Sequence, residues 1–147
     1  GEEIDLCRAE AARLGLADRV TFLGRIPRDQ VERLYESHDV FLFPSFREPA
    51  GGVLYEAMRW GLPIITAARG GPDWIVDDLC GIRVPVTDPD RYASDIAAAI
   101  RRLDSDPDLC RAMGQAARDK VAREGLWPAK AQNLVALYGQ VLFAQPR

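Results

Sequence analysis

The run Val40-Phe41-Leu42-Phe43, closed by Pro44, constrains this chain more than any other segment. Apolar residues without polar alternation are what a strand covered on both faces requires, and such strands belong to parallel sheets. A second run of the same kind, Pro63-Ile64-Ile65-Thr66, follows after a stretch of helical pattern over roughly 52–60 that Gly61 ends. Parallel strands cannot be joined by a tight turn and need a crossover, which is usually a helix. Strand, helix and strand therefore form one α/β unit at the centre of the chain.

The flanking segments extend this unit. Residues 3–14 carry Ile4, Leu6, Cys7, Ala11 and Leu14 at near-helical spacing, and Gly15 supplies a stop. Val20–Leu23 predicts a short strand ending at Gly24, and Pro27 and Asp29 open a helix with Val31, Leu34 and Tyr35. Gly81–Val84 predicts one more strand. Only helices follow. Asp88-Pro89 and Asp106-Pro107 each pair an N-cap with a first-turn proline. Pro128 opens a last helix with Leu134, Val135, Leu137, Tyr138, Val141 and Leu142 in a broad stripe. The pattern predicts an α/β fold, a Rossmann-like doubly wound parallel sheet with trailing C-terminal helices. Ligands bind such sheets at the carboxyl ends of the strands, so the loops after Leu23, Phe43 and Thr66 matter most.

Composition narrows the class. With 147 residues and 48% apolar side chains, the chain can bury a core as one soluble domain, 1–147, with no repeat or linker. A net charge of −3 argues against a nucleic-acid partner. Cys7, Cys80 and Cys110 are scattered, which fits buried or half-buried free thiols rather than disulfides or a zinc site. No apolar run is long enough for a membrane span. The first residues (Glu2, Glu3, Asp5) are acidic, unlike a secretory leader, although a chain starting at Gly1 speaks only for itself.

The chemistry lies in Pro44-Ser45-Phe46-Arg47-Glu48-Pro49-Ala50-Gly51-Gly52-Val53-Leu54-Tyr55-Glu56-Ala57-Met58. Glu48 sits in a loop past a strand end, where a carboxylate meets whatever fills the cleft. Ala50-Gly51-Gly52 begins a helix with small residues, so a ligand can approach the backbone. The N–H groups and dipole of that first turn favour an anion such as a diphosphate. Glu56 falls one turn on, on the same side as Gly52. Two carboxylates around an anion-friendly helix start suit a nucleotide sugar.

Glu48 and Glu56, with seven residues between them, match the E-x7-E motif of the retaining GT-B glycosyltransferases, most closely the family-4 group. "FLFPSFREPAGGVLYEAMRWGLPIITAARGGPDWIVDD" resembles that family's run around the motif, and "VTFLGRIPRDQVERLYESHDVFLFPS" resembles the segment before it. The resemblance covers nearly the whole chain and identifies it with the C-terminal, donor-binding domain. It implies that Glu48 contacts the hydroxyls of the transferred sugar as the catalytic-site carboxylate. It implies that the amides around Ala50, Gly51 and Gly52 hold sugar and diphosphate, and that Val53 and Leu54 contact the nucleoside. Glu56 would accept from the ribose hydroxyls, and Gly24-Arg25-Ile26 would lie beside the base. The donor would be a UDP- or GDP-linked sugar, with no cofactor and no metal, because the helix start and basic groups take the leaving diphosphate's charge.

Two positions depart from the family: Ala50 replaces a frequent aromatic residue, and Gly52 a larger apolar one. The family's upstream arginine and lysine and its N-terminal acceptor domain are not in this chain. The expectation is therefore an inactive isolated fragment that self-associates through open sheet edges and apolar helix faces. The location implied is cytoplasmic, or peripheral at the inner face of the membrane for the full-length protein. A non-catalytic nucleotide-sugar-binding or assembly module, a phosphorylase and an epimerase stand as alternatives. Gly70-Gly71 reads either as a turn or as a border of the donor cleft. His38 reads as structural or surface, Arg47 and Arg69 as solvated charge or as cleft-facing help for a phosphate, Trp60 and Trp74 as packing residues, and Trp127 as a helix-start anchor.

Overall fold

The structure, a computed structural model, describes residues 3–143. They divide after Leu34 into two compact units.

In the first, α1 (Ile4–Arg13) carries an Arg13–Glu10 ion pair at 2.6 Å and ends before Gly15, whose φ of 68° reverses the chain. Ala11 is its one buried residue, and Cys7 is exposed, against the expectation of a buried thiol. The short spacing of apolar residues there gives no continuous stripe. Val20–Leu23 is not a strand. The N–H groups of Arg19 and Val20 bond locally to the Leu16 carbonyl at 2.9 and 3.1 Å, so the run starts in a turn and joins no ladder. α2 (Arg28–Ser37), started by Pro27, contains the division between units.

The second unit is built on a parallel sheet of β1 (Phe41–Phe43), β2 (Ile64–Ala67) and β3 (Gly81–Val84) in the order β1-β2-β3. Phe41 pairs with Ile64, and Ile64 with Gly81. The helices are α3 (Gly52–Arg59), α4 (Gly70–Ile75), α5 (Pro89–Ser105) and α6 (Pro107–Lys120). A π-helical turn (Val121–Gly125) then leads into α7 (Trp127–Phe143). Every residue of β2 is buried, as its uninterrupted apolar run demands. β1 departs from that expectation: Leu42 is 40% exposed, so this face of the strand is not covered among the described residues. Ile65, Val84, Ala99, Leu103 and Met113 form a core between the sheet and α5 and α6. Both Asp-Pro caps form, with Asp88 accepting from the Arg91 N–H and Asp106 from the Leu109 N–H, each at 2.9 Å. Each contributes about 1 kcal/mol.

Two helical pieces were not foreseen. α4 is too short to show a period, and the π-helical turn continues α6 without a sequence break. Trp74 is 89% exposed rather than packed, since Pro72 and Ile75 take the inward positions of α4. Trp127 heads α7 but is 84% exposed. No described helix is long and apolar enough to cross a membrane.

Candidate functional site

β1 delivers the chain into the loop Pro44–Gly51, which is tied along its length. At its start, Thr66 Oγ1 donates to the Phe43 carbonyl at 2.8 Å, and the Tyr92 hydroxyl of α5 donates to the Pro44 carbonyl at 3.0 Å. Phe46 meets the Tyr92 ring edge-on at 6.5 Å. At its end, Glu48 Oε1 accepts from the N–H groups of Ala50 at 2.9 Å and Gly51 at 2.8 Å. From the side, the Gly71 N–H donates to the Glu48 carbonyl at 3.0 Å.

Glycine is needed where this loop turns into α3. Gly51 has φ 66°, a region costly for other residues, and a Cβ there would stand 3.1 Å from Ile75 Cδ1 and 3.2 Å from Leu54 Cδ1. Gly70 and Gly71, which the sequence left between turn and cleft border, open α4 and lie directly against the loop backbone.

The electrostatics follow from this geometry. The Gly51 N–H, and after it the Ala50 N–H, hold the Glu48 carboxyl below the usual carboxylate range. Glu48 is therefore an anion seated at the start of α3, where the helix dipole favours it. Its side chain occupies the amides of Ala50 and Gly51. The first-turn N–H groups of Gly52 and Val53 have no acceptor within a helix. Gly52 is exposed, and a Cβ on it would meet nothing within 4 Å. Glu56, one turn on, is exposed as well. Val53 is half-buried, but Leu54 is fully buried beneath Gly51, so its side chain belongs to the core and can offer a ligand no surface. Arg47 and Arg69 are exposed on the flanking loops. Gly24, with φ 64°, and Arg25 are both exposed within the first unit.

Sequence reasoning missed what stands behind α3. Lys120 Nζ, 43 positions along the chain, pairs with Asp77 Oδ2 at 2.7 Å. Asp77 Oδ1 also accepts from the N–H groups of Leu79 and Cys80. Burial opposes charge on both partners, yet the pairing prevails: Asp77 is held below its ordinary value and Lys120 above its own. Arg118 donates to the Trp60 carbonyl at the carboxyl end of α3 at 2.7 Å. Nothing in the spacing of these residues signals the contacts. A cavity of about 610 Å³ opens at the other end of β1, lined by His38, Asp39, Val40, Leu103, Cys110 and neighbours. It lies before β1, whereas Glu48 lies after it. Among the described residues no group of His, Cys, Asp or Glu could hold a metal ion.

A parallel α/β unit whose strand-end loop feeds an exposed glycine helix start is an α/β domain with an anion-friendly helix start at the carboxyl end of a strand. The family follows: residues 1–120 match the model of the glycosyl transferases group 1, and the chain belongs to that family. It is 35% identical over 135 residues to a D-inositol 3-phosphate glycosyltransferase of Segniliparus rotundus, covering 91% of this chain and 29% of that protein. Against the enzyme of that name from Corynebacterium diphtheriae, identity is 37% over 127 residues, covering 86% and 29%. The chain thus spans less than a third of the length of these curated relatives.

Solved structures agree. A sucrose-phosphate synthase from Thermosynechococcus elongatus superposes with a TM-score of 0.79 at 34% identity, over 99% of this chain and 36% of that one. HepE of Anabaena in complex with UDP gives 0.74 at 25% identity, over 94% and 37%. The fold is that of a GT-B glycosyltransferase's C-terminal domain.

Proposed function

We propose that this chain is the donor-binding domain of a retaining glycosyltransferase that takes a sugar from a nucleoside diphosphate to an acceptor. The observation that carries the reading is the start of α3. An ionised Glu48 is fixed there by two backbone N–H groups, next to an exposed Gly52 and one turn from an exposed Glu56.

Each residue has a role that its geometry fits. Glu48 is held as an anion, so it accepts hydrogen bonds from sugar hydroxyls and orients the sugar rather than moving a proton. The N–H groups of Gly52 and Val53, with the dipole of α3 behind them, take the charge that grows on the leaving diphosphate. Glu56 accepts from the ribose hydroxyls, and Val53 lies against the nucleoside. Arg47 and Arg69 add positive charge nearby. No metal is required, since the helix start supplies the stabilisation that a cation would. UDP is favoured over GDP because a structural neighbour, HepE, is known in complex with UDP.

The test is calorimetric titration of the chain with UDP and GDP beside Glu56→Ala. Binding of one nucleotide, weakened at least tenfold in Glu56→Ala, is expected. Absence of binding to either at millimolar ligand, in this chain and in the full-length protein, would sink the reading.

A further inference from the structure

Resting on that donor-site reading, we infer that Gly70 and Gly71 are positioning residues for sugar recognition. Helix α4 sets where Glu48 stands, and so how well the chain distinguishes a nucleoside diphosphate sugar from the bare nucleoside diphosphate.

The sugar end and the ribose end of the site are fixed by different elements. Glu56 sits on α3, which is anchored through buried Leu54, Ala57 and Met58 and through Arg118 on the Trp60 carbonyl. Glu48 precedes α3 on a loop whose backbone rests on α4. The Gly71 N–H holds its carbonyl at 3.0 Å, while Ala50 and Gly51 hold its carboxylate.

That contact exists because two side chains are absent. A Cβ on Gly71 would stand 2.6 Å from the Pro49 carbonyl oxygen and 2.9 Å from the Ala50 nitrogen. A Cβ on Gly70, whose φ is 67°, would stand 2.8 Å from the Glu48 carbonyl oxygen. All three obstacles are backbone atoms, which have no rotamer by which to retreat, so the Glu48–Ala50 segment or α4 must shift, and either movement opens the contact between Gly71 and Glu48. Glu56, held from the other side by α6, has no reason to follow. A misplacement of this size weakens a precisely aimed hydrogen bond severely.

Gly71→Ala and Gly70→Asn test the assignment. Asparagine tolerates the left-handed backbone of Gly70 and presses only on the Glu48 carbonyl, so it serves if Gly71→Ala fails to fold. Hydrogen exchange at the Ala50 and Gly51 amides is expected to accelerate at least tenfold in the variants, with Ala57 and Met58 unchanged. Calorimetry with UDP and UDP-glucose is expected to change the ratio of their Kd values at least fivefold, with Kd for UDP within twofold of the parent's.

Equal losses for both ligands, or amide exchange unchanged in both variants, would overturn the inference while leaving donor binding intact. If neither the parent chain nor the full-length protein bound either ligand, the donor-site reading would fail and the sugar-recognition claim with it. The exchange result would then report only the loop contact.

Discussion

Two helices of the second unit, α3 and α7, carry apolar residues at helical spacing, and they end in opposite environments. α3 buries Leu54, Ala57 and Met58 completely against the sheet and α6. α7 is twice as long, yet no described residue of it is buried: Val135 is 69% and Leu142 76% exposed. Periodicity thus fixes that a helix forms and which face is apolar, but not that the face is covered. A covering partner is a tertiary fact. For α3 that partner exists and doubles as the support of the candidate site, since α6 grips its carboxyl end and α4 its entrance. α7 rests on the π-helical turn, with Lys130 4.9 Å above the Tyr55 ring, and leaves its stripe bare.

This contrast can be broken or sharpened by substitution, with unfolding in urea as the readout. Leu54→Ala or Met58→Ala removes packing from a closed environment and is expected to cost about 2–5 kcal/mol. Next comes the pair behind α3. Lys120→Met leaves Asp77 without its cation and is expected to cost about 1–3 kcal/mol, kept modest because the Asp77 side chain is 45% exposed.

The same pair gives a pH signature. Asp77 is lowered on folding, so its contribution is present above about pH 4 and is lost as pH falls through the folded value. Lys120 is raised, so its contribution is present below about pH 10 and is lost as pH rises through the folded value. The stability difference between parent and Lys120→Met should therefore be flat at neutral pH and shrink at both extremes. A difference that varied between pH 6 and 8 would contradict this. Tyr92→Phe, which frees the Pro44 carbonyl at the loop's start, is expected to cost about 1 kcal/mol. Smallest of all, Val135→Ser and Leu142→Ser on α7 should change stability by about 0.5 kcal/mol or less. A loss near that of Leu54→Ala would mean that α7 is covered after all.

How much was legible follows the same division between local and tertiary causes. β2, β3, the Asp-Pro caps and the start of α3 came from local pattern, and the structure has them. Glu48 and Glu56 were legible because they lie in one short segment with the glycines between them. The failures were non-local. Val20–Leu23 has the composition of a strand, but no residue pattern reveals that a ladder is missing. Leu54 looked like a ligand contact until its burial under Gly51 was seen. Lys120 and Asp77 meet across 43 positions, and the closeness of Gly71 to Pro49 is a matter of backbone approach, to which sequence spacing is blind.

In the proposed function the start of α3, not the cavity at the other end of β1, takes the nucleoside diphosphate. An amide-resolved NMR titration of the chain with UDP tests it most directly, with GDP in parallel. Shifts are expected to concentrate at Gly52–Glu56. Shifts confined to His38–Val40 and Leu103–Arg111, or no shifts with either nucleotide at millimolar concentration, would contradict it.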